Sequence, residues 1–334
     1  MKKEIIKQNV GIDIAKDDFK VCLSVMGSDL RMVVKGSRTF TNNEKGFADF
    51  LLWAEQKSKS SLVLHFTMEA TGVYYEGLAY YLNEKGHPVH VVLPNQTKKY
   101  AQSLGFHTKT DKIDARMLAQ FGLERSPAEW KPQSKNFRIL RQLTRERCSL
   151  IQTRSQAMNH LHAYKHQGRP RQSSIERCSE MIETINCQVA AIETEIKEIV
   201  DSDEKLKHRM DYVLSIKGVS LLTAVCILSE TNGFAGFHNI KQLTSYAGLD
   251  ILIKESGKWT GKSKISKKGN KYIRKALYFP AFSKINHDTG TREQYERLKE
   301  KKGIAMVAAV AQQRKLLGLI YTLWKKQEMF SPAA

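Results

Sequence analysis

Two carboxylates, Asp111 and Asp114, stand three residues apart in Thr110-Asp111-Lys112-Ile113-Asp114-Ala115-Arg116. On a helix that spacing puts both on one face, about 5–6 Å apart at Cβ. Acids so close repel each other, and a hard divalent cation such as Mg²⁺ or Mn²⁺ is the usual answer, with phosphate oxygens often completing its shell. Taken alone, the stretch reads rather as a solvated helical N-terminus, where Asp is favoured in any case. Two acids upstream change the balance. Asp13 interrupts the apolar run Val10 to Ile14, and Glu69 closes the apolar run Ser61 to Met68. A carboxylate in an apolar strand is costly unless paired or metal-bound. Singly, Asp13 reads as a strand-end residue bonding a turn and Glu69 as a neighbour of a helix cap. Together, four acids from three elements form the constellation in which two divalent ions clamp the attacking and leaving oxygens of a phosphodiester.

The elements that must position these acids follow from periodicity. Val10–Ile14, Phe19–Val25 and Leu30–Phe40 alternate as three strands, with turn residues at Met26-Gly27-Ser28-Asp29. Thr41 and Glu44 make a capping-box pattern before a helix carrying Phe47, Phe50, Leu51 and Ala54 on one face. Ser61–Met68 is a fourth strand, Val73–Lys85 a helix stopped by Gly86, Pro88–Leu93 a fifth strand, and a helix starts at Asn95. Three strands, helix, strand, helix, strand, helix is the element order of a ribonuclease-H-like fold. Asp111 and Asp114 then lie on a later helix able to return across the same sheet edge.

Beyond about residue 130 the patterning turns helical. A long helix is predicted over Ser134–His166, broken by Gln167-Gly168-Arg169-Pro170. A second follows a Ser173/Glu176 capping pattern, with Ile175, Cys178, Ile182, Ile185, Val189, Ile192, Ile196 and Ile199 at coiled-coil spacing. The expected structure is an antiparallel hairpin whose seam also suits a second subunit. Its first helix carries Arg138, Arg141, Arg145, Arg147 and Arg154; these either pair with Glu on the second helix or contact nucleic acid. Val213–Ser220 resembles a degraded helix-hairpin-helix turn before an apolar helix, Leu221–Leu228. A loop over 258–275 then carries Lys258, Lys262, Lys264, Lys267, Lys268, Lys271, Arg274 and Lys275 with no acid. Such density predicts phosphate-backbone contact with steep salt dependence, and Trp259 and Tyr272 stand ready to stack on bases. Ser256 sits at the mouth of this loop. With no His nearby to activate it, its chemistry alone reads as a turn serine. Tyr272–Phe282, Arg292–Lys302 and Ala305–Trp324 complete the helices.

Composition sets the class of partner. The 334 residues carry a formal net charge of +20, which predicts a polyanion, nucleic acid before an anionic membrane. No apolar run approaches the ~20 residues of a membrane span. Five scattered cysteines without a C-x-x-C pair, and no secretory h-region, read as a reduced, cytoplasmic protein. His162 and His166 have ligand spacing but no third ligand and read as surface residues.

Three segments, Gly11-Ile12-Asp13-Ile14-Ala15-Lys16, Met68-Glu69-Ala70-Thr71-Gly72 and Lys109-Thr110-Asp111-Lys112-Ile113-Asp114-Ala115-Arg116, resemble the DEDD signature of the insertion-sequence one-ten family of transposases, related to the Piv DNA invertase. Glu255-Ser256-Gly257 with Gly261, Ser266, Gly269-Asn270 and Ile273-Arg274-Lys275-Ala276-Leu277-Tyr278 is similar to the family's second signature. The resemblance implies a RuvC-like domain over 1–130, a coiled-coil hairpin over 131–205 and a mainly helical transposase domain over 206–330. It implies that Ser256 is the nucleophile of a DNA recombinase working through a phosphoserine link, and that Asp13, Glu69, Asp111 and Asp114 bind divalent metal. It further implies donor and target DNA at the bacterial nucleoid, a non-coding bridge RNA and a homo-oligomer. Lys109, Arg116, Arg147, Arg154 and the loop cations are the expected nucleic-acid contacts. The competing function is a RuvC-like junction nuclease that uses only the acids, and behind it a non-catalytic scaffold.

Overall fold

Three ten-residue strands open the chain, the first two buried in continuous runs and the third exposed along most of its length. The computed structural model describes residues 4–105, 111–252, 255–256, 259–260 and 264–331; of residues 111–113, 255–256, 259–260 and 264 it describes the backbone alone. The chain divides into two compact units, Met1–Pro132 and Gln133–Ala334.

In the first unit, β1 (Ile5–Ile14), β2 (Asp18–Gly27) and β3 (Met32–Thr41) form an antiparallel meander. Helix α1 (Glu44–Lys57) leads to β4 (Leu64–Glu69), α2 (Glu76–Glu84) to β5 (Val89–Val92), and α3 (Pro94–Ser103) to α4 (Asp111–Arg125). The sheet order is β3-β2-β1-β4-β5, with β4 parallel to both β1 and β5. That mixed five-stranded order is the ribonuclease-H-like arrangement. One face is oily: Val10, Ile12, Phe19, Leu23, Phe66 and Met68 pack against Phe47, Phe50 and Ala54 of α1 and Leu78 and Leu82 of α2. The cap of α1 differs from the expected Thr41 box. Asn43 is the N-cap, its side chain accepting from the Gly46 N–H at 2.8 Å, and Thr41 merely donates to Asn43.

The opposite face is built for close approach. Asn9, Gly11, Thr67 and Cys22 lie there, and α4 crosses them with Ala115, Ala119 and Gly122. A Cβ on Gly11 would sit 2.1 Å from the Ala115 carbonyl oxygen and the Ala119 nitrogen. The Asn9 amide donates to the Ala119 carbonyl at 3.0 Å and accepts from the Thr67 hydroxyl at 3.0 Å, so polar groups beneath the helix are satisfied.

The second unit starts with the hairpin α5 (Lys135–Lys165) and α6 (Gln172–Ser202). Ile185, Val189, Ile192, Ile196 and Val200 of α6 are buried, whereas Ile175, Cys178 and Ile182, towards the hairpin tip, are half-buried. The helix begins at Gln172 with no side-chain cap, so the Ser173/Glu176 pattern is not used. Then α7 (Glu204–Leu214) turns at Gly218, φ +93°, into α8 (Leu221–Glu230), capped by Ser220. After α9 (Ile240–Tyr246) come β6 (Ile251–Leu252), β7 (Glu255–Ser256), β8 (Trp259–Thr260) and β9 (Lys264–Ile265). Helices α10 (Lys271–Ala276), α11 (Tyr278–His287), α12 (Thr289–Lys302) and α13 (Ala305–Lys326) finish the unit. The single helix expected from Tyr272 is thus two, divided at Leu277. Among the described residues no helix is long and apolar enough to cross a membrane.

Candidate active site

Ile12 of β1 pairs with Met68 of β4 in a parallel ladder. Asp13 and Glu69 are the next residues on these neighbouring strands. Since Ile12 and Met68 face the oily core, alternation sends both acids to the other face, the one α4 covers. Along that face Asn9 lies under Ala119 and Gly122, and Gly11 under Ala115 and Ala119. The first turn of α4, holding Asp114 and the backbone of Asp111, is therefore carried towards the Asp13 end of β1. Asp13, Glu69 and Asp114 are each half-buried. The register sets Lys20 of β2 opposite Asp13. Thr97 of α3, itself buried, donates its hydroxyl to Glu69 Oε2 at 2.5 Å.

Three sequence-predicted acids thus gather at one end of one sheet face. They stop short of a closed ligand set: among the described residues no group of three or more His, Cys, Asp or Glu side chains is arranged to hold a metal ion. The Asp111 side chain lies outside the described residues, as do Lys109, Lys258 and Lys262 and the side chains of Ser256, Trp259 and Lys264. Arg116 is exposed on α4. The donors are hard oxygens, which suits Mg²⁺ or Mn²⁺ rather than a thiophilic ion.

In the second unit, Ser256 is the last residue of β7 and pairs with Trp259, while Glu255 pairs with Thr260. Outside this ladder, Ile251 pairs with Ile265 and Leu252 with Lys264. The first part of the expected basic loop therefore belongs to a small arm of two nested antiparallel ladders. Its base is cross-braced. The Lys267 N–H donates to the Gly248 carbonyl at 3.1 Å, and the Ser266 hydroxyl donates to Asp250. Arg274 Nη1 donates to the carbonyls of Ala247 at 2.8 Å and Gly269 at 3.1 Å, so this expected nucleic-acid contact braces the arm. Lys267, Lys268 and Lys271 remain exposed.

The brace ends on a carboxylate that the sequence reading missed. Glu230, its side chain 0% exposed, receives Arg145 Nε at 2.6 Å and Nη2 at 2.8 Å, and Asn270 Nδ2 at 2.6 Å. The bonds to Glu230 hold the Arg145 guanidinium above its ordinary value. Asn270 also caps α10 by accepting from the Tyr272 and Ile273 N–H groups. Tyr246 donates its hydroxyl to the Glu230 carbonyl at 3.0 Å. The signal was an acid ending an otherwise apolar helix, Leu221-Leu222-Thr223-Ala224-Val225-Cys226-Ile227-Leu228-Ser229-Glu230. Arg145 covers the ring of Tyr272 at 4.9 Å, so one face of the ring expected to stack on bases is taken. Arg147 pairs with Glu193 at 2.6 Å across the hairpin, and Arg154 donates to Asn186 at 2.9 Å.

Residues 10–167 match the DEDD transposase model of IS110 type, and residues 210–296 match the transposase model of the IS116/IS110/IS902 family. The chain is 30% identical over 333 residues to the pilin gene-inverting protein of Moraxella bovis, covering 97% of this chain and 98% of that protein. This chain belongs to the IS110 family of transposases. The transposase for insertion sequence element IS1111A of Coxiella burnetii is 24% identical over 96% of this chain and 90% of that protein. A Thermus thermophilus RuvC structure covers 37% of this chain and 99% of its own at 13% identity, with a TM-score of 0.28. The fold assignment rests on strand order rather than on that likeness. As an IS110-family protein the chain is an enzyme acting on DNA, a transposase or recombinase. Asp13, Glu69, Asp111 and Asp114 fall within the first matched region and Ser256 within the second.

Proposed function

We propose that this IS110-family enzyme cuts and rejoins DNA at insertion-sequence ends through a phosphoserine intermediate. What carries the reading is the in-register ending of β1 and β4, which brings Asp13 beside Glu69 under the first turn of α4. Ser256 Oγ attacks the scissile phosphorus, a serine–phosphate bond forms, and the 3′ oxygen leaves. A 3′ hydroxyl of the partner strand then attacks the phosphoserine, the new phosphodiester forms, and Ser256 is released. One phosphate ester bond is exchanged for another at each step, so no co-reactant is consumed. Asp13, Glu69, Asp111 and Asp114 would hold Mg²⁺, which when bound supplies positive charge to the phosphate oxygens and the leaving group. Thr97 fixes the Glu69 carboxylate, and the Glu230–Asn270 brace fixes the base of the serine arm.

The net charge of +20, with Lys267, Lys268 and Lys271 exposed beside the arm, suits a backbone-reading enzyme whose sequence specificity lies in a paired bridge RNA. The half-buried tip of the coiled-coil hairpin suits a homo-oligomer. The test is Ser256→Ala in the full chain with element-end DNA. The covalent protein–DNA band on a denaturing gel is expected to vanish, and Asp13→Asn to lower it by about a hundredfold or more. Strand cleavage undiminished in Ser256→Ala would instead support hydrolysis by the acids alone.

A further inference from the structure

In the second unit a groove of about 540 Å³ runs between α5, α8, α10 and α11. That volume is within the roughly 300–1,000 Å³ of ordinary ligand sites. Three cations line it, Arg147 and Arg154 from α5 and Lys275 from α10, and no lining residue is acidic. Arg147 is answered by Glu193, but the bonds of Arg154 and Lys275 go to neutral groups: the Asn186 amide oxygen and the Cys148 sulfur, the latter at 3.2 Å. The groove therefore faces its ligand with positive charge not cancelled by any carboxylate along its wall. The rest of its wall is uncharged, with Ile151 and Leu222 beside the hydroxyls of Thr144, Ser220 and Thr223, and Phe279 at the edge. That ring is 78% exposed, held edge-to-face by Tyr278 at 5.3 Å. An exposed phenyl ring beside unanswered cations is the combination that receives an unstacked base and its phosphates. Arg147 and Arg154 are two helical turns apart, about 10 Å, so a strand lying along α5 meets cations at more than one point.

We propose that this groove binds single-stranded nucleic acid, one base stacking on Phe279 with adjacent phosphates on Lys275 and Arg154. The site lies outside the two ladders of the serine arm, on the far part of the α10 helix that follows it, and rests on the reading of the chain as a nucleic-acid enzyme. A duplex keeps its bases stacked and has none to offer the ring, so the groove selects single strands.

The probes are fluorescent oligo-dT and oligo-U, each also made with one 4-thio base, bound to full-length protein carrying Ser256→Ala so that no cleavage intervenes. Phe279→Ala removes only an exposed ring. It is expected to weaken binding about tenfold without changing the salt dependence. Lys275→Gln is expected to reduce the slope of log K against log salt by about 0.7, the value of one single-strand phosphate contact. The thio base is expected to cross-link within residues 271–283; comparing the dT and U probes tells whether DNA or RNA is the better occupant. Binding within twofold in both variants, with unchanged slope and cross-links elsewhere, would overturn the proposal. So would Phe279→Ala leaving binding intact while lowering the sedimenting mass, which would make the ring a contact between copies of the chain. Adduct formation by the wild type, together with none of these changes in the two variants, refutes the groove alone.

Discussion

A carboxylate with no exposed surface must have its charge answered inside the protein, and Glu230 answers it three times over with Arg145 and Asn270. Removing the acid leaves a guanidinium facing a void and frees the cap of α10, because Asn270 loses the partner that orients it. Glu230→Ala is therefore expected to destabilise the second unit by about 1–3 kcal/mol in urea unfolding, since Arg145, 41% exposed, keeps contact with water. Glu230→Gln retains the shape and one acceptor, so it should cost less. In Glu230→Gln, unchanged DNA affinity with slower adduct formation would show that the brace acts on the serine arm and not on binding. Arg145 shows why this network escaped a reading of types and spacing. In sequence it is one of a stripe of arginines on α5, and only the fold reveals that its partner lies 85 residues on.

At the scale of elements, short runs rich in Val, Ile, Leu and Phe cut by turn residues made the five strands legible, although β1, β2 and β4 are buried in continuous runs and not on one alternating face. The seat of α4 was not legible. Its contact is made of absent side chains, Gly11 against Ala115 and Ala119, and small residues give no periodic signal until their partner is known. The same limit explains the caps. Thr41 and Ser173 match the capping pattern, but helix α1 starts two residues later than that pattern supposes and α6 two residues earlier. Gly11→Val would drive a branched side chain into the α4 backbone. The expected cost is about 1–3 kcal/mol of stability. Because the helix carries Asp114, adduct formation should fall by more than the loss of folded protein explains. Adduct yield per folded molecule, read against circular dichroism, separates the two effects.

Strands β4 and β5 also bear a pH-sensitive pair. His65 Nδ1 and His90 Nε2 lie 3.0 Å apart with their rings stacked. Burial, and then the His90 charge, hold the His65 pKa below its ordinary 6.5. The fold thus favours neutral His65, whereas the unfolded chain takes up the proton below about pH 6.5. Stability from this group is complete above 6.5 and declines as pH falls through that value. Thermal midpoints of the wild type and His65→Asn between about pH 5 and 8 should converge in acid and separate in base. Parallel curves would mean that another group governs the acid limb.

For the whole molecule the question is what completes the hairpin. Burial along α6 declines from Ile196, at 0% exposure, through Ile192 and Ile185, at 7% and 5%, to the half-buried Ile182, Cys178 and Ile175. Met158 on α5 and Met181 on α6 are 53% and 52% exposed. Two helices expose one side of a heptad seam when no third element covers it, and the uncovered stretch is continuous with the buried one. A second hairpin of the same sequence offers the complementary surface, since a two-fold contact needs only one patch. Ile182→Glu puts a charge at the centre of that stretch. In sedimentation velocity it is expected to shift the protein to monomer while leaving circular dichroism unchanged. If the proposed strand exchange requires the oligomer, the same variant should lose adduct formation at protein concentrations where the wild type assembles. An Ile182→Glu protein that sediments as the wild type does would place the oligomer contact elsewhere on the chain.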